Sequence, residues 1–327
     1  MRIVITGGAG FIGRQLAARL LKEPFLTSRN GERKPLEKLV LFDAIEAPPE
    51  LANDERVEAI VGDIGNAAAV RALIDDEVDS VYHLAAVVSA GAEADFDLGW
   101  LVNLDGMRLV LEAARRTEGT PRVIFTSSIA VYGAMMPDVV VDETPLIPQT
   151  SYGAQKAVGE QLIHDYSRKG YIDGRAVRLP TISVRPGKPN KAASGFASGI
   201  FREPLIGIDH ACPVAPESCM ALMSPRKVID SLVGIHEVAA ADLGDSRSLL
   251  LPGLRVSMGE AKAAVERVGA GRDLGKITFE PDPAVQKIVD YWPRETYSAR
   301  AEKLGFVGDD NVDDIIRAHI EDELSDG

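Results

Sequence analysis

The sequence predicts an α/β fold in which a doubly wound parallel sheet is followed by a smaller, mixed C-terminal lobe. Segments with the composition of buried strands alternate with segments of helical periodicity through the first half of the chain, and a glycine-rich turn joins the first strand to the first helix. Because 327 residues exceed the usual size of a single core, we expect residues 1–180 to form the main domain. Residues 181–327 then form mainly the smaller lobe, with parts able to return to the main domain.

The glycine-rich turn follows the apolar residues 3–5 and leads into a helix. Glycines at such a turn allow a tight bend and let a pyrophosphate approach the amides at the helix N-terminus. A third glycine lets the helix pack closely on the strand. The turn therefore predicts a dinucleotide site in a fold of the Rossmann type, with a purely structural turn as the alternative. The residues assigned to this site are Gly7, Gly10, Phe11, Ile12 and Gly13.

Asp43 ends the second predicted strand, residues 38–43. An acid at this place in a dinucleotide-binding fold accepts hydrogen bonds from the adenosine ribose and repels the additional phosphate of NADP, so we expect NAD as the cofactor. The spacing from the turn exceeds the usual value of about 20 residues. The polar segment 23–38, which we expect to be a surface loop, accounts for the excess. A capping or solvated aspartate is the alternative interpretation.

Three further strands and their connecting helices continue the alternation. The fourth strand ends in small residues, which leave room for a ligand across the carboxyl edge of the sheet. His83 lies inside this apolar strand, so we interpret it as a hydrogen-bonded core residue and not as a catalytic base. The predicted strands are residues 57–64, 80–86 and 122–128, and the predicted helices are residues 67–74 and 98–117.

Tyr152 and Lys156 are four residues apart on a segment with helical periodicity. Side chains at this spacing share a helix face, with Cβ atoms about 5–6 Å apart. The ammonium group is therefore expected to lower the phenol pKa from its ordinary value of about 10, which would make the phenolate a competent base near neutral pH. The pair alone is a common pattern, but it follows a strand that ends in Ser127 and Ser128, and this favours an acid–base role.

Together these motifs resemble the extended short-chain dehydrogenase/reductase family, which includes nucleotide-sugar epimerases and dehydratases. The resemblance covers most of residues 1–185. Dehydratases of this family carry an Asp-Glu pair directly after the active hydroxyl, whereas this sequence has Ile129 and Ala130, so water elimination is disfavoured. The motifs that carry the resemblance are the glycine turn, Asp43, Gly62-Asp63, His83-Leu84-Ala85-Ala86, the segment from Ser127 to Gly133, and Tyr152 with Lys156.

The resemblance implies roles for individual residues. Tyr152 is the general acid/base, Lys156 binds the nicotinamide ribose and tunes Tyr152, and a serine orients the substrate hydroxyl. Ser128, three residues before Val131-Tyr132-Gly133, matches that serine, and Ser127 is the near alternative. The remaining implied cofactor contacts are Asp63 and Ile64 beside adenine, Leu84, Ala85 and Ala86 along the cofactor channel, and Asn103 near the cofactor.

The sixth predicted strand, residues 175–182, leads into a loop with the cations Arg185, Lys188 and Lys191. A solvated loop is one interpretation. Its place directly after the strand, over the expected nicotinamide, favours an anion-binding loop, and arginine suits planar, bidentate binding of a carboxylate.

Residues 180–196 resemble the corresponding stretch of the D-erythronate dehydrogenases, a branch of the family that oxidises the C2 hydroxyl of a four-carbon sugar acid with NAD. Epimerases also need cations there, for a nucleotide diphosphate. We expect Arg185 and Asn190 to contact the substrate, together with Ser127, Ser128 and Tyr152. Pro180, Thr181 and Ile182 are assigned to the cofactor site.

Composition restricts the partners. The net charge of −13 argues against a general nucleic-acid or anionic-membrane surface, since both need clustered Lys and Arg. Cys212 and Cys219, with His210 nearby, do not complete a four-ligand set, so no metal is expected. The first strand starts at residue 2 or 3 and no apolar run has the length of a membrane span, so we expect a cytoplasmic location.

The smaller lobe is expected to combine short helices, such as residues 225–239, with a strand at residues 247–251. The helix 257–268 and the acidic tail from Asp309 are interpreted as periphery. The family often pairs through the helices that carry Asn103 and Tyr152, so the resemblance implies a homo-oligomer.

The preferred function is therefore NAD-dependent oxidation of D-erythronate to 2-oxo-D-erythronate, with a sugar acid as the small-molecule partner. The first alternative is an NAD-dependent nucleotide-sugar 4-epimerase, which reduces and reoxidises its cofactor in place. The second is a non-catalytic NAD-sensing protein, which the intact tyrosine, lysine and serine set disfavours.

Overall fold

The computed structural model describes residues 1–187 and 193–324. The chain forms two compact units. Unit 1 comprises Met1–Ser127, Ala154–Arg178 and Ile229–Leu249, and unit 2 comprises Ser128–Gly153, Leu179–Val228 and Leu250–Gly327.

The strands are, in chain order, β1 (Arg2–Thr6), β2 (Phe25–Thr27), β3 (Arg33–Pro35), β4 (Lys38–Asp43), β5 (Val57–Val61), β6 (Val78–His83), β7 (Arg122–Ser128), β8 (Asp173–Leu179), β9 (Thr181–Ile182), β10 (His210–Cys212), β11 (Cys219–Met223), β12 (Ser248–Leu250), β13 (Leu254–Ser257) and β14 (Ile277–Phe279).

The α-helices are α1 (Phe11–Lys22), α2 (Pro49–Ala52), α3 (Ala67–Leu73), α4 (Ser89–Ala94), α5 (Phe96–Trp100), α6 (Gly106–Ala114), α7 (Ser151–Arg168), α8 (Phe196–Leu205), α9 (Pro225–Glu237), α10 (Ala240–Leu243), α11 (Met258–Val268), α12 (Pro283–Val289), α13 (Ala299–Lys303) and α14 (Val312–Glu323). A π-helical segment, Leu101–Asp105, joins α5 to α6, and 3₁₀ turns lie at Ile129–Val131 and Ala193–Gly195.

Unit 1 contains a seven-stranded sheet in the order β12-β8-β7-β6-β1-β4-β5. Strand β1 pairs in parallel with both β4 and β6, so the strand order reverses beside β1. In this register Thr6 lies opposite Phe42 and His83, and the turns that follow β1, β4 and β6 therefore reach one edge of the sheet. The doubly wound parallel sheet predicted from the sequence is confirmed. Ligands bind at the carboxyl edge of such sheets, where the strand order reverses.

The strands of unit 1 read as nearly continuous apolar runs because helices cover both faces of a parallel sheet. Val4, Val81 and Val123 are fully buried in successive strands, and Val110 and Leu111 of α6 pack in the same core. Near-complete burial on this scale provides the rigid support that a site at the sheet edge requires.

Unit 2 has a three-stranded sheet in the order β13-β11-β9 and a parallel pair, β10 with β14. Its core is built around α8, α11 and α14, and Ile200, Ala261 and Ile315 are fully buried in it. The interpretation of the 257–268 helix and the acidic tail as periphery was therefore wrong. Their apolar residues pack in the core of unit 2.

Several predicted elements differ from the observed ones. The loop at residues 23–38 contains a short hairpin, in which Phe25 of β2 pairs with Pro35 of β3. The predicted helix 98–117 is divided by the π-helical segment, and the third and fourth strands end earlier than expected, at Val61 and His83. Composition does not mark the end of the fourth strand, because the chain stays apolar through Leu84, Ala85 and Ala86.

The predicted sixth strand is two strands, β8 and β9, which belong to different sheets. Pro180 separates them, and a proline has no N–H group with which to continue a ladder. The strand predicted at residues 247–251 for the smaller lobe is β12, which lies at the edge of the main sheet, where Ala176 N–H donates to Arg247 O at 2.7 Å. Among the described residues, no helix is long and apolar enough to cross a membrane.

Candidate active site

The glycine turn lies between β1 and α1 and is tied to β4, because Gly7 N–H donates to Phe42 O at 2.8 Å. Gly7 has a φ of +74°, and a Cβ there would lie 2.7 Å from Ala85 N. A Cβ on Gly13 would meet the Gly7 carbonyl. The cap residue Gly10 offers no side-chain hydrogen bond, and the first turn of α1 has no acidic residue. This turn fits a pyrophosphate, since the helix dipole and the first-turn amides favour an anion.

Asp43 ends β4 beside this turn, and its Oδ2 accepts a hydrogen bond from Ala9 N–H at 3.0 Å. The carboxylate is half-buried. It therefore both stabilises the glycine turn and places a negative charge at the carboxyl edge of the sheet. An acceptor in this position suits a ribose hydroxyl, and the ribose contact of Asp43 stays a prediction.

The predicted adenine and channel residues follow β5 and β6. Asp63 is exposed and its Oδ1 accepts from Gly65 N–H at 2.8 Å, while Ile64 is buried. Leu84, Ala85 and Ala86 come directly after β6 and are partly exposed, in contrast to the buried strand before them. The structure thus places these residues at the edge of the sheet that also carries the glycine turn.

Asn103 lies in the π-helical segment and is 4% exposed. Its side chain accepts from Val87 N–H at 2.8 Å and donates to Val87 O at 3.0 Å and to Gln155 Oε1 at 2.7 Å. The amide therefore connects the chain next to residues 84–86 with the residue next to Lys156. π-Helical segments of this kind are frequent at functional sites.

Lys156 lies on α7 and is 3% exposed. Its Nζ donates to Thr126 O at 2.7 Å and lies 4.6 Å from the centroid of the Phe125 ring. Burial lowers the pKa of Lys156 to about 7. A cation held against a carbonyl and an aromatic face is well oriented, and it is poised between its charged and neutral forms at neutral pH.

His83 is 1% exposed and its Nδ1 lies 2.7 Å from Thr6 Oγ1. Its ring stacks on Phe125, and burial, with a further contribution from the Lys156 charge, lowers the pKa of His83 to about 3. The imidazole is therefore neutral, and its interpretation as a hydrogen-bonded core residue is confirmed.

Ser127 and Ser128 have different surroundings. Ser127 is 2% exposed and donates a hydrogen bond to Glu160 Oε1 at 2.5 Å. Glu160 Oε2 in turn accepts a hydrogen bond from Arg178 Nη2 at 2.7 Å. Ser128 is partly exposed, and its Oγ accepts from Ala130 N–H at 3.1 Å. The hydroxyl of Ser127 is thus engaged by a buried ion pair, which favours Ser128 as the serine that contacts a substrate.

Ser128 also hydrogen-bonds the Tyr152 phenol, and the positive charge of Arg185 acts on the same group. Burial nevertheless raises the pKa of Tyr152 to about 12, while the hydrogen bond and the charge act in the lowering direction. The net shift is opposite to the predicted lowering, because loss of solvation of the phenolate outweighs these contributions. Burial and the charge of Arg202 lower the pKa of the half-buried Arg185, and Tyr152 acts in the opposite direction.

Within unit 2 the structure therefore brings Ser128, Tyr152 and Arg185 together. Thr181 and Ile182 form β9, which pairs with β11 and is partly exposed, and buried Pro180 precedes it. Asn190, Lys188 and Lys191 lie outside the described residues. No group of three His, Cys, Asp or Glu side chains able to hold a metal occurs in the described ranges.

The sequence did not identify the ion pair behind Ser127. One signal was present: Glu160 follows Lys156 by four residues, as Lys156 follows Tyr152, so all three occupy one face of α7. The partner Arg178 lies on β8, and only the folded chain shows that the two meet.

The sheet, the glycine turn with Asp43, and the serine, tyrosine and lysine set define a class: nucleotide-dependent short-chain dehydrogenases and epimerases. Residues 3–203 match the NAD dependent epimerase/dehydratase family. This chain belongs to that family, and its cofactor is NAD.

Two relatives match the chain over its whole length. It is 49% identical over 322 residues to a D-erythronate dehydrogenase of Cupriavidus necator, covering 98% of each chain. It is 39% identical over 324 residues to a D-erythronate dehydrogenase of Haemophilus influenzae, covering 99% of this chain and 100% of the relative.

Solved structures agree on the fold. A nucleoside-diphosphate-sugar epimerase from Agrobacterium tumefaciens has a TM-score of 0.92 at 40% identity, covering 100% of this chain and 95% of the other. A GalE-like L-threonine dehydrogenase from Cupriavidus necator has a TM-score of 0.84 at 24% identity, and the match covers 98% of this chain and 99% of the other. The second likeness concerns the fold alone.

Proposed function

We propose that this protein oxidises the C2 hydroxyl of D-erythronate to 2-oxo-D-erythronate with NAD. The observation that carries the proposal is the charge of Arg185 acting on Tyr152, the residue proposed as acid/base. A cation at this place suits a substrate whose carboxylate adjoins the reacting carbon. The two full-length relatives named as D-erythronate dehydrogenases support the same substrate.

Each residue of the set has one task in this proposal. Arg185 binds the carboxylate, and Ser128 orients the C2 hydroxyl. Tyr152, as the phenolate, accepts the hydroxyl proton as the C2–O bond becomes a carbonyl. Bound NAD supplies the acceptor for the C2 hydride. Lys156 binds the nicotinamide ribose.

The raised pKa of Tyr152 has a consequence for the pH dependence. Because the phenolate is the reactive form, oxidation is expected to become faster as the pH rises towards the pKa of Tyr152. The hydrogen bond from Ser128 and the charge of Arg185 both lower that pKa, so they enlarge the reactive fraction at any given pH.

The Agrobacterium tumefaciens structure favours a second candidate, a nucleotide-sugar epimerase. An epimerase also uses a tyrosine base, but it restores its cofactor in each cycle. The two functions therefore differ in net NADH release.

An absorbance assay at the NADH band tests the proposal. The purified protein with NAD would be given a panel of four- to six-carbon sugar acids, with UDP-sugars as the comparison. NADH formation with D-erythronate supports the proposal. Interconversion of UDP-sugars without net NADH would establish the epimerase, and NAD binding with no turnover of either class would establish a sensor.

The proposal includes a homo-oligomer. Phe96, Leu98, Trp100 and Leu101 are 41–55% exposed on α5 and the start of the π-helical segment, and the Phe96 and Trp100 rings lie 5.8 Å apart. The exposed Phe96 and Trp100 rings, one turn apart, are the proposed association surface. Light scattering should give a multiple of 35.1 kDa for the wild type. Trp100→Glu should dissociate it, and a monomeric wild type would contradict this part of the proposal.

The cytoplasmic location stays a prediction from the sequence. Activity measured in separated cell fractions would test it.

A further inference from the structure

Arg185 lies at the end of a firmly anchored segment. Ser183 and Val184 are 0% and 1% exposed. Ser183 N–H donates to Met223 O at 3.0 Å, and Ser183 Oγ donates to Ala197 O at 2.8 Å. The chain becomes exposed at Gly187. Arg185 therefore lies between this buried support and the exposed Gly187.

Both backbone polar groups of Arg185 are bound by side chains of α8. Its N–H donates to Ser198 Oγ at 3.0 Å, and its carbonyl accepts from Arg202 Nη1 at 2.8 Å. Ser198 and Arg202 are 4% and 8% exposed, one turn apart on the helix. Backbone groups of a loop residue more often bond to other backbone groups or to water, so two buried side chains on one residue form a specific support.

The charge of Arg202 is compensated locally. Its Nη2 lies 2.5 Å from Oε1 of Glu203, which is 8% exposed. A buried guanidinium without such a partner would be costly. Glu203 offsets part of the cost of burying Arg202, and Arg202 holds the Arg185 backbone by a hydrogen bond.

From this arrangement we infer that Ser198 and Arg202 are positioning residues for the substrate carboxylate: they orient Arg185 and do not touch the substrate themselves. The inference rests on the proposed function, since it assigns Arg185 to the carboxylate. An arginine on a mobile loop loses conformational entropy when it binds a ligand, and an anchored backbone removes the main-chain part of that cost. The expected effect of Ser198 and Arg202 is therefore on the affinity for the sugar acid.

The test is a set of double-mutant cycles with Arg185→Met, since a residue that acts through Arg185 loses its effect when Arg185 is absent. Ser198→Ala removes one hydrogen bond and little volume. Arg202→Met would leave the Glu203 carboxylate buried without its cation, so it is made in a Glu203→Gln background and compared with Glu203→Gln alone.

With Arg185 present, Ser198→Ala should raise KM for D-erythronate about 5-fold. Arg202→Met in the Glu203→Gln background should raise it about 10-fold relative to Glu203→Gln alone. These factors are the effects expected for one or two lost hydrogen bonds. KM for NAD should change less than about 2-fold. In the Arg185→Met background the same substitutions should change KM for D-erythronate less than about 2-fold. Arg202→Lys, which keeps a donor and the charge, should restore part of the affinity.

Equal increases with and without Arg185 would overturn the inference, because the residues would then act independently of it. Equal increases of KM for NAD and for D-erythronate would also overturn it, since they would indicate general loss of structure. If the wild type oxidises no sugar acid, the proposed function fails and the inference fails with it. If it oxidises D-erythronate but the cycles are additive, only the positioning role fails.

Discussion

Replacing Arg185 by Met is the most direct perturbation of the proposed chemistry. The substitution keeps an unbranched, flexible side chain and removes the guanidinium, which is half-buried and acts electrostatically on Tyr152. A hydrogen bond to a charged group contributes about 1.5–3 kcal/mol, and a guanidinium makes two such bonds with a carboxylate. Allowing for partial exposure, we expect a loss of about 2–4 kcal/mol. That loss corresponds to an increase of about 30- to 1000-fold in KM for D-erythronate.

The same substitution should alter the pH profile. The Arg185 charge lowers the pKa of Tyr152, so its removal raises that pKa and moves the alkaline rise of kcat/KM to higher pH. Steady-state NADH formation would be measured from neutral to alkaline pH with D-erythronate and with NAD varied separately. Arg185→Lys should be intermediate, since it keeps the charge and loses the planar fork.

Arg226→Met provides the matched control. Arg226 is an exposed arginine of unit 2 that pairs with Glu321 and Asp322, and exposed ion pairs contribute little. Its substitution should leave both KM values and the pH profile unchanged. An unchanged KM for D-erythronate in Arg185→Met, with a pH profile like that of the control, would refute the assignment of Arg185.

Three further predictions concern the base, the cofactor and stability. Tyr152→Phe should lose most NADH formation while NAD binding, measured by calorimetry, is retained; turnover near that of the wild type would exclude Tyr152 as the base. Asp43→Asn keeps an acceptor for Ala9 N–H but removes the charge that opposes NADP. The ratio of kcat/KM with NAD to kcat/KM with NADP should therefore fall about 10- to 100-fold. An unchanged ratio would show that residues other than Asp43 select NAD over NADP. Glu237 accepts from His236 and Thr27, and these hydrogen bonds outweigh burial and lower the pKa of Glu237 from 4.5 to about 2. Its stabilisation is therefore present above pH 4.5 and lost as the pH falls towards 2. Glu237→Gln should reduce the free energy of unfolding at pH 7 by an amount on the order of 2 kcal/mol. Chemical denaturation at several pH values should show this difference from the wild type vanish in acid. A difference that does not change with pH would contradict the stabilising role of the Glu237 carboxylate.

The glycine turn and the acid at the end of β4 could be predicted because they are local features. Glycines at a strand–turn–helix junction are required by backbone geometry, and the structure shows that a Cβ at Gly7 or Gly13 has no room. Asp43 ends its strand as expected. Helical periodicity likewise placed Tyr152 and Lys156 on one helix, α7.

Features that depend on distant partners could not be predicted. The choice of Ser128 over Ser127 rests on the pairing of Ser127 with Glu160, a residue of another element. The support of Arg185 by Ser198 and Arg202 is of the same kind, since neither residue belongs to a recognisable motif.

The sequence by itself determined the alternation of the main-sheet strands with helices as far as β7, the glycine turn, the acid at the end of β4 and the place of Tyr152 and Lys156 on one helix. These depend on residue type and on spacings of a few positions, where sterics and periodicity act. The tertiary structure alone decided that the sixth strand divides at Pro180 and that β12 joins the main sheet. It also decided that burial raises the pKa of Tyr152 and lowers that of Lys156. Desolvation and long-range hydrogen bonds depend on which segments pack together, and no local pattern contains that information.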